Sequence, residues 1–159
     1  MLEEVGDLWS IKADLRLITT NGIVTKDGRA VMGRGCALEL KQKVLGIDAS
    51  LGHLIKMFGN KPHYLITPNE IPELGSILTF PVKHHWRDKA DPDLIKESAN
   101  RIADKVDITP FEGKDTRIVC PRPGCGNGGL DWKDVKPIIE PIFDDRFIIV
   151  TWKEQAPIA

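Results

Sequence analysis

Two stretches of this chain gather glycine beside residues able to do chemistry. VMGRGC, residues 31–36, sets Gly33 and Gly35 around Arg34. RPGCGNGGLDW, residues 122–132, puts four glycines, Gly124, Gly126, Gly128 and Gly129, into six positions. Glycine loses more backbone freedom on folding than any other residue, so such clusters stand where the chain turns sharply or something comes close to it. A glycine loop that leaves a strand and opens a helix aims main-chain N–H groups outward at the positive helix end, which suits a phosphate. Two such loops in one small domain suit a pair of linked phosphates gripped from both sides. Between them, FPVKHHWR, residues 80–87, brings Lys83 to the end of an apolar run beside His84, His85 and Arg87. A lysine becomes a nucleophile when burial or neighbouring cations lower its pKa. A solvated lysine flanking a strand is the plainer reading.

Other chemistries fit poorly. Neither loop follows GxxxxGK[ST], which sets aside a P-loop NTPase. MGRGCA lacks the full GxGxxG spacing, and no ribose-binding acid follows at a strand end, which sets aside a dinucleotide dehydrogenase. Cys36, Cys120 and Cys125 have neither CxxC nor zinc-ribbon spacing and read as free thiols of a reducing compartment. The four histidines are scattered. His84 and His85, adjacent on a strand, would point to opposite faces, so no metal site is expected. Trp86 and Trp132 could stack on a base or a sugar, with core packing as the plainer role. Asp7 could simply cap a turn.

The elements that must position these residues alternate. Short β-rich runs span Leu15–Thr19, His63–Thr67, Ile77–Val82, Arg117–Cys120 and Phe147–Trp152, the last nearly continuous in apolar residues, as for a strand covered on both faces. Residues 37–46 read as a helix that Gly46 stops, and Ser50–Phe58 as a second, weakened by Gly52. Asp91-Pro92 opens a third helix with an apolar stripe through Leu94, Ile95, Ala99, Ile102, Ala103 and Val106. Asp131 reads as the cap of a turn at Trp132. Pro137 and Pro141 predict that turn first and a short or kinked helix from Pro137. Alternation of this kind predicts an α/β fold, a three-layer α/β/α sandwich around a mixed, largely parallel sheet, with the ligand beyond the carboxyl ends of its strands.

Bulk properties bound the rest. The 159 residues, 42% hydrophobic and 28% charged, are expected to form one domain over 1–159, without internal repeat or linker. A formal charge of −1 gives no overall attraction for nucleic acid or an anionic membrane. No apolar run nears the roughly 18 residues of a membrane span. The acidic MLEEVGDLWS start shows no export signal, so a cytoplasmic protein is expected.

The motifs then combine. GDLW at 6–9, TTN at 19–21, MGRGCAL at 32–38, FPVKHHWR at 80–87 and PRPGCGNGGLDW at 121–132 together resemble a macro domain, in the same chain order. The last two are particularly similar to DarG-type antitoxin macro domains, which remove ADP-ribose from DNA. That resemblance covers about residues 5–152. It implies ADP-ribose as ligand or product, with no further cofactor. Asp7 would hydrogen-bond the adenine amino group, assisted by the Leu8 backbone. Thr20, Asn21 and the Met32, Gly33, Arg34, Gly35, Cys36 loop would face the distal ribose and its phosphate. Pro121, Gly124, Cys125, Gly126, Asn127, Gly128 and Gly129 would wrap the diphosphate, where side chains would collide with it. Lys83, with Asn21, would be catalytic, the lysine attacking the anomeric carbon to form a covalent intermediate. Some amino-acid-directed relatives carry an acid in the second loop to resolve that intermediate. This chain has Asn127-Gly128-Gly129 there, and Asp131 beyond.

Three functions stand open at this point: an ADP-ribosyl hydrolase acting on a nucleobase or another acceptor, a phosphatase for ADP-ribose 1″-phosphate, and a non-catalytic reader of ADP-ribose. Transient contact with modified DNA needs only a few cations, for which Arg34, Lys83 and Arg87 are available. No residue pattern identifies a protein partner.

Overall fold

The computed structural model describes residues 1–65, 71–108, 111 and 113–152. Its elements run β1 (Leu2–Val5), β2 (Leu15–Thr20), α1 (Gly35–Lys43), α2 (Ile47–Phe58), β3 (Tyr64–Leu65), β4 (Ser76–Pro81), α3 (Pro92–Ile108), β5 (Ile118–Pro121), α4 (Trp132–Ile139) and β6 (Phe147–Thr151). The strands form one sheet ordered β1-β6-β5-β2-β4-β3. Every pairing is parallel except β3 with β4. The expected three-layer sandwich is what the chain builds.

Side-chain alternation explains the layers. On β2, Leu15 and Leu17 point to one face with Phe147 and Ile149 of β6, while Ile18, Ile148 and Val150 point to the other. The first face is covered by α3 and α4 through Ile95, Ala99, Ile102, Val135 and Ile139. The second is covered by α1 and α2 through Ala37, Leu40, Ile47 and Leu51. Each Leu, Ile or Val side chain among them contributes about 1.5–3 kcal/mol when taken from water, before the ordering entropy is counted.

Several boundaries differ from expectation, each for a visible reason. β1 carries no β-rich signal, because LEEV is an edge strand largely open to solvent. The strand expected at His63–Thr67 is observed as Tyr64–Leu65, and its last two residues lie outside the described ones. α1 begins two residues early, at Gly35, and ends at Lys43. Gly46 does not stop it; with φ of +85° it sits at the N-cap of α2, which opens three residues before Ser50. Gly52 is needed by close approach, since a Cβ there would meet the Gly28 oxygen at 2.1 Å. α4 is one helix from Trp132 with Pro137 inside it. The turn-then-helix expectation fails because the helix is only eight residues long, so the proline removes one bond of a short ladder. Asp131 holds the N-cap position of α4, but its side chain makes no capping bond.

Candidate functional site

The carboxyl ends of β2, β4, β5 and β6 open onto a cavity of about 860 Å³, within the range of small-molecule sites. Thr20 and Asn21 enter it from β2, Lys83 from just beyond β4, Pro121 from β5, and Trp152 from just beyond β6. Met32 through Cys36 form one wall and Gly124 through Gly129 the facing wall. Leu8 closes one end. Of the residues expected to bind the ligand or to be catalytic, only Asp7 does not line the cavity; its carboxylate accepts bonds from the Trp9 N–H at 2.9 Å and the Ser10 hydroxyl at 3.0 Å.

The first wall is a helix start. α1 opens at Gly35 with no side-chain cap and no acid in its first turn, and carries Lys41 and Lys43 in its last. Its positive end therefore faces the cavity without a carboxylate to offset it. Charges on the wall lean the same way: Arg34, Lys83, Arg87, Lys89 and Arg122 against Glu39 and Asp88. Glu39 is already engaged by the Trp9 ring N–H at 3.1 Å. Arg122 lays its guanidinium 5.3 Å from the Trp132 ring, and its buried Nε has no partner among the described residues. The arrangement suits an anion.

The second wall corrects the expected reason for its glycines. A Cβ on Gly124 would lie 2.7 Å from Ile95 and 3.1 Å from Ala90, and one on Gly128 3.0 Å from Ala90. These two are small because α3 and the segment before it press against them. Gly126 is different: its φ is +70° and a Cβ there would meet nothing within 4 Å, so its bareness leaves open space.

Lys83 joins the two halves. Its ammonium donates to the Asn127 oxygen at 3.1 Å and to the Trp86 oxygen at 3.3 Å. The strand before it is anchored by the Val82 N–H on Thr20 O and by the Ser98 hydroxyl on Pro81 O. The cationic neighbours expected to assist it point elsewhere. His84 pairs with Asp91 at 2.8 Å, His85 accepts from the Arg87 N–H, and Arg87 lies over Trp86. Both histidines sit beyond the end of β4, in the loop, so strand alternation is not what separates them. Asn21 ties down its own loop, donating to Val31 O at 2.9 Å and accepting from the Ile23 N–H at 3.0 Å.

Two residues were not singled out from sequence. Arg16 is buried and donates to the carbonyls of Leu8, Trp9, Ile11, Glu73 and Leu74, fixing the Leu8 wall. Burial depresses its pKa, with Asp7 opposing the shift. Asn60 donates to the Lys83 oxygen at 3.0 Å. Neither carries a local motif. Of the two tryptophans, Trp132 packs against the core and donates to Glu3, whereas Trp86 is 44% exposed on the cavity rim. The core role expected of Trp86 is therefore not observed.

The cysteines are free, with Cys120 buried and the other two partly so. Among the described residues, no cluster of three or more histidines, cysteines or carboxylates could hold a metal ion. None of their helices is long and apolar enough to cross a membrane.

Solved structures share this architecture. The macrodomain of Mycobacterium tuberculosis DarG superposes with a TM-score of 0.70 at 24% identity, covering 95% of each chain. The chain folds as a macro domain. Thermosipho africanus DarTG in complex with ADP-ribose matches with a TM-score of 0.75 at 20% identity, over 99% of this chain and 43% of that one. No family model matches the sequence. It is similar to the DNA ADP-ribosyl glycohydrolases of Mycobacterium tuberculosis, 26% identical over 135 residues, and of Thermus aquaticus, 25% identical over 130 residues. Those alignments cover 82% and 77% of this chain. They span only 35% and 33% of those relatives' length.

Proposed function

We propose that this macro domain binds ADP-ribose in the cavity and hydrolyses it from an acceptor, with Lys83 as nucleophile. The observation that carries the reading is the position of the Lys83 ammonium. It bridges to Asn127 of the second glycine segment and opens onto the same cavity as the first. The cationic wall and the uncapped start of α1 favour a diphosphate lying between those segments. Asn21 and Thr20, at the end of β2, face the distal ribose, and Leu8 lines the adenine end. The names of the sequence relatives support removal of ADP-ribose from DNA.

In the step itself the Lys83 ammonium first gives a proton to solvent, and the amine so formed attacks the anomeric carbon. A C–N bond forms as the bond to the acceptor breaks. The acceptor leaves with the electron pair and takes a proton, and the amine gives one up. Water then cleaves the C–N bond, returning lysine and free ADP-ribose, so one water is consumed per cycle. Asp131 is exposed and absent from the cavity wall, so the second half-reaction is not assigned to it.

Calorimetry with ADP-ribose, followed by turnover of ADP-ribosylated substrates by wild type and Lys83→Ala, tests this. Binding retained and turnover lost in Lys83→Ala is the expected result. Full turnover in that variant rejects the mechanism. Lysine-independent phosphate release from ADP-ribose 1″-phosphate would make the protein a phosphatase, and binding with no turnover on any substrate would make it a reader.

A further inference from the structure

A second groove, of about 570 Å³, shares no residue with the cavity already described. It runs around β3, the last strand of the sheet, from the end of α2 to the C-terminal part of α3. Leu54, Phe58 and Pro62 give it an apolar floor, and Phe58 is 61% exposed. Among the described residues its charged groups are Lys61, Arg101 and Lys105 against Asp104, on a chain whose formal charge is −1. Arg101 also meets Glu97 at 3.1 Å, one helical turn away. Such an exposed pair is worth little, and its guanidinium can take a second carboxylate. The backbone adds a direction. His63 makes the bonds to β4: its oxygen accepts from the Thr79 N–H at 3.0 Å and its N–H donates to the Thr79 hydroxyl at 2.8 Å. Tyr64 stands opposite Leu78 in the same antiparallel pair, so alternation turns its N–H and C=O away from β4.

We propose that this groove docks an extended acidic peptide of a partner protein, added to the sheet as a strand beside β3. An open strand edge invites such pairing, and lysine is a common guard against it. Cations around β3 repel a basic segment and give an acidic one its counter-charges. The two faces of the sheet set the pattern. Leu54 and Phe58 belong to α2 on one face, Arg101 and Lys105 to α3 on the other. An added strand points alternate side chains to those faces, so its apolar residues meet α2 and its carboxylates meet α3. A nucleic-acid strand fits less well. The Lys105 ammonium, 5.7 Å from the Tyr64 ring, and Phe111, 6.3 Å from it, compete with a base for that ring. A sugar–phosphate chain also has no amide ladder to set against the Tyr64 backbone.

The test selects phage-displayed random peptides on the wild-type protein and measures the enriched ones, as fluorescein-labelled synthetic peptides, by anisotropy. The expected consensus alternates Asp or Glu with apolar residues. Its affinity should fall as salt rises, and by about tenfold or more in the double variant Arg101→Glu, Lys105→Glu, where like charges face the acids. N-methylation of alternate peptide amides should abolish binding in one register and spare it in the other, as strand pairing requires. The thermal midpoint and ADP-ribose affinity of the variant should stay close to wild type. Should the double variant melt early, Lys61→Glu, at an exposed position before β3, gives the same reading. No enrichment, a basic or uncharged consensus, or equal binding to the charge-reversed proteins overturns the proposal. Displacement of the peptide by saturating ADP-ribose would place it in the main cavity and overturn it as well. An oligothymidylate that binds wild type but not the double variant, with no peptide enriched, would make the groove a nucleic-acid surface instead.

Discussion

The side-chain amide of Asn60 donates to the main-chain oxygen of Lys83 at 3.0 Å, across 23 residues of chain. Its other end, Oδ1, is buried with no partner among the described residues. The turn after α2 thus holds the peptide from which the proposed nucleophile projects. Asn60→Ala should cut kcat about tenfold by loosening that peptide, while ADP-ribose affinity moves less than about threefold. Steady-state kinetics with calorimetry checks this. An affinity loss as large as the rate loss would place Asn60 in binding instead.

Gly124 and Gly126 separate packing from ligand access. Gly124→Ala meets both a left-handed φ of +76° and the Ile95 side chain at 2.7 Å, and should cost about 2–4 kcal/mol of stability. Gly126→Ala meets only the backbone penalty, about 1–2 kcal/mol. It should weaken ADP-ribose binding more than Gly124→Ala does, because Gly126 lines the cavity without packing against α3. Denaturant melts paired with calorimetry would sink this if the two variants ranked the same way in both.

Burial pushes the Cys125 thiol up to about 11, raises that of Cys36, and raises that of Cys120 further. The thiolate is the reactive form, so iodoacetamide should label all three slowly near neutral pH. Labelling of Cys125 should accelerate as the pH approaches 11. Rapid labelling of the native protein at neutral pH, followed by peptide mass mapping, would contradict the packing described for these residues.

Acid stability follows from three carboxylates held below the ordinary range, Asp144 by Arg146, Asp91 by His84 and Glu3 by Lys136. Each titrates lower in the folded than in the unfolded chain. Its contribution is complete above about pH 4 and is lost as the pH falls through the folded value. Asp144 meets Arg146 at 2.8 and 3.0 Å. Asp144→Asn should therefore lower the melting midpoint at neutral pH and converge with wild type in strong acid. A constant gap between the two across the acid range would show that the ion pair contributes nothing.

Periodicity made the sheet layers and α3 legible, because Leu15, Leu17 and Ile18 alternate and Ile95, Ala99 and Ile102 repeat at helical spacing. Spacing made both glycine segments and Lys83 legible. What escaped was set by partners distant in sequence. Asn60 matters through Lys83, Arg16 through Leu8 and Leu74, and the exposure of Trp86 through a loop whose closure depends on Asp91. The reason for Gly124 escaped likewise, since Ile95 on α3 is what fills the space where its Cβ would stand.

Arg16 ties the carbonyls of Leu8, Trp9 and Ile11 to those of Glu73 and Leu74. A guanidinium half-surrounded by these groups is in a poor environment until the remaining acceptors arrive. The Leu8 end of the cavity therefore owes its shape to the turn ahead of β4, whose carbonyls complete the set that Arg16 needs.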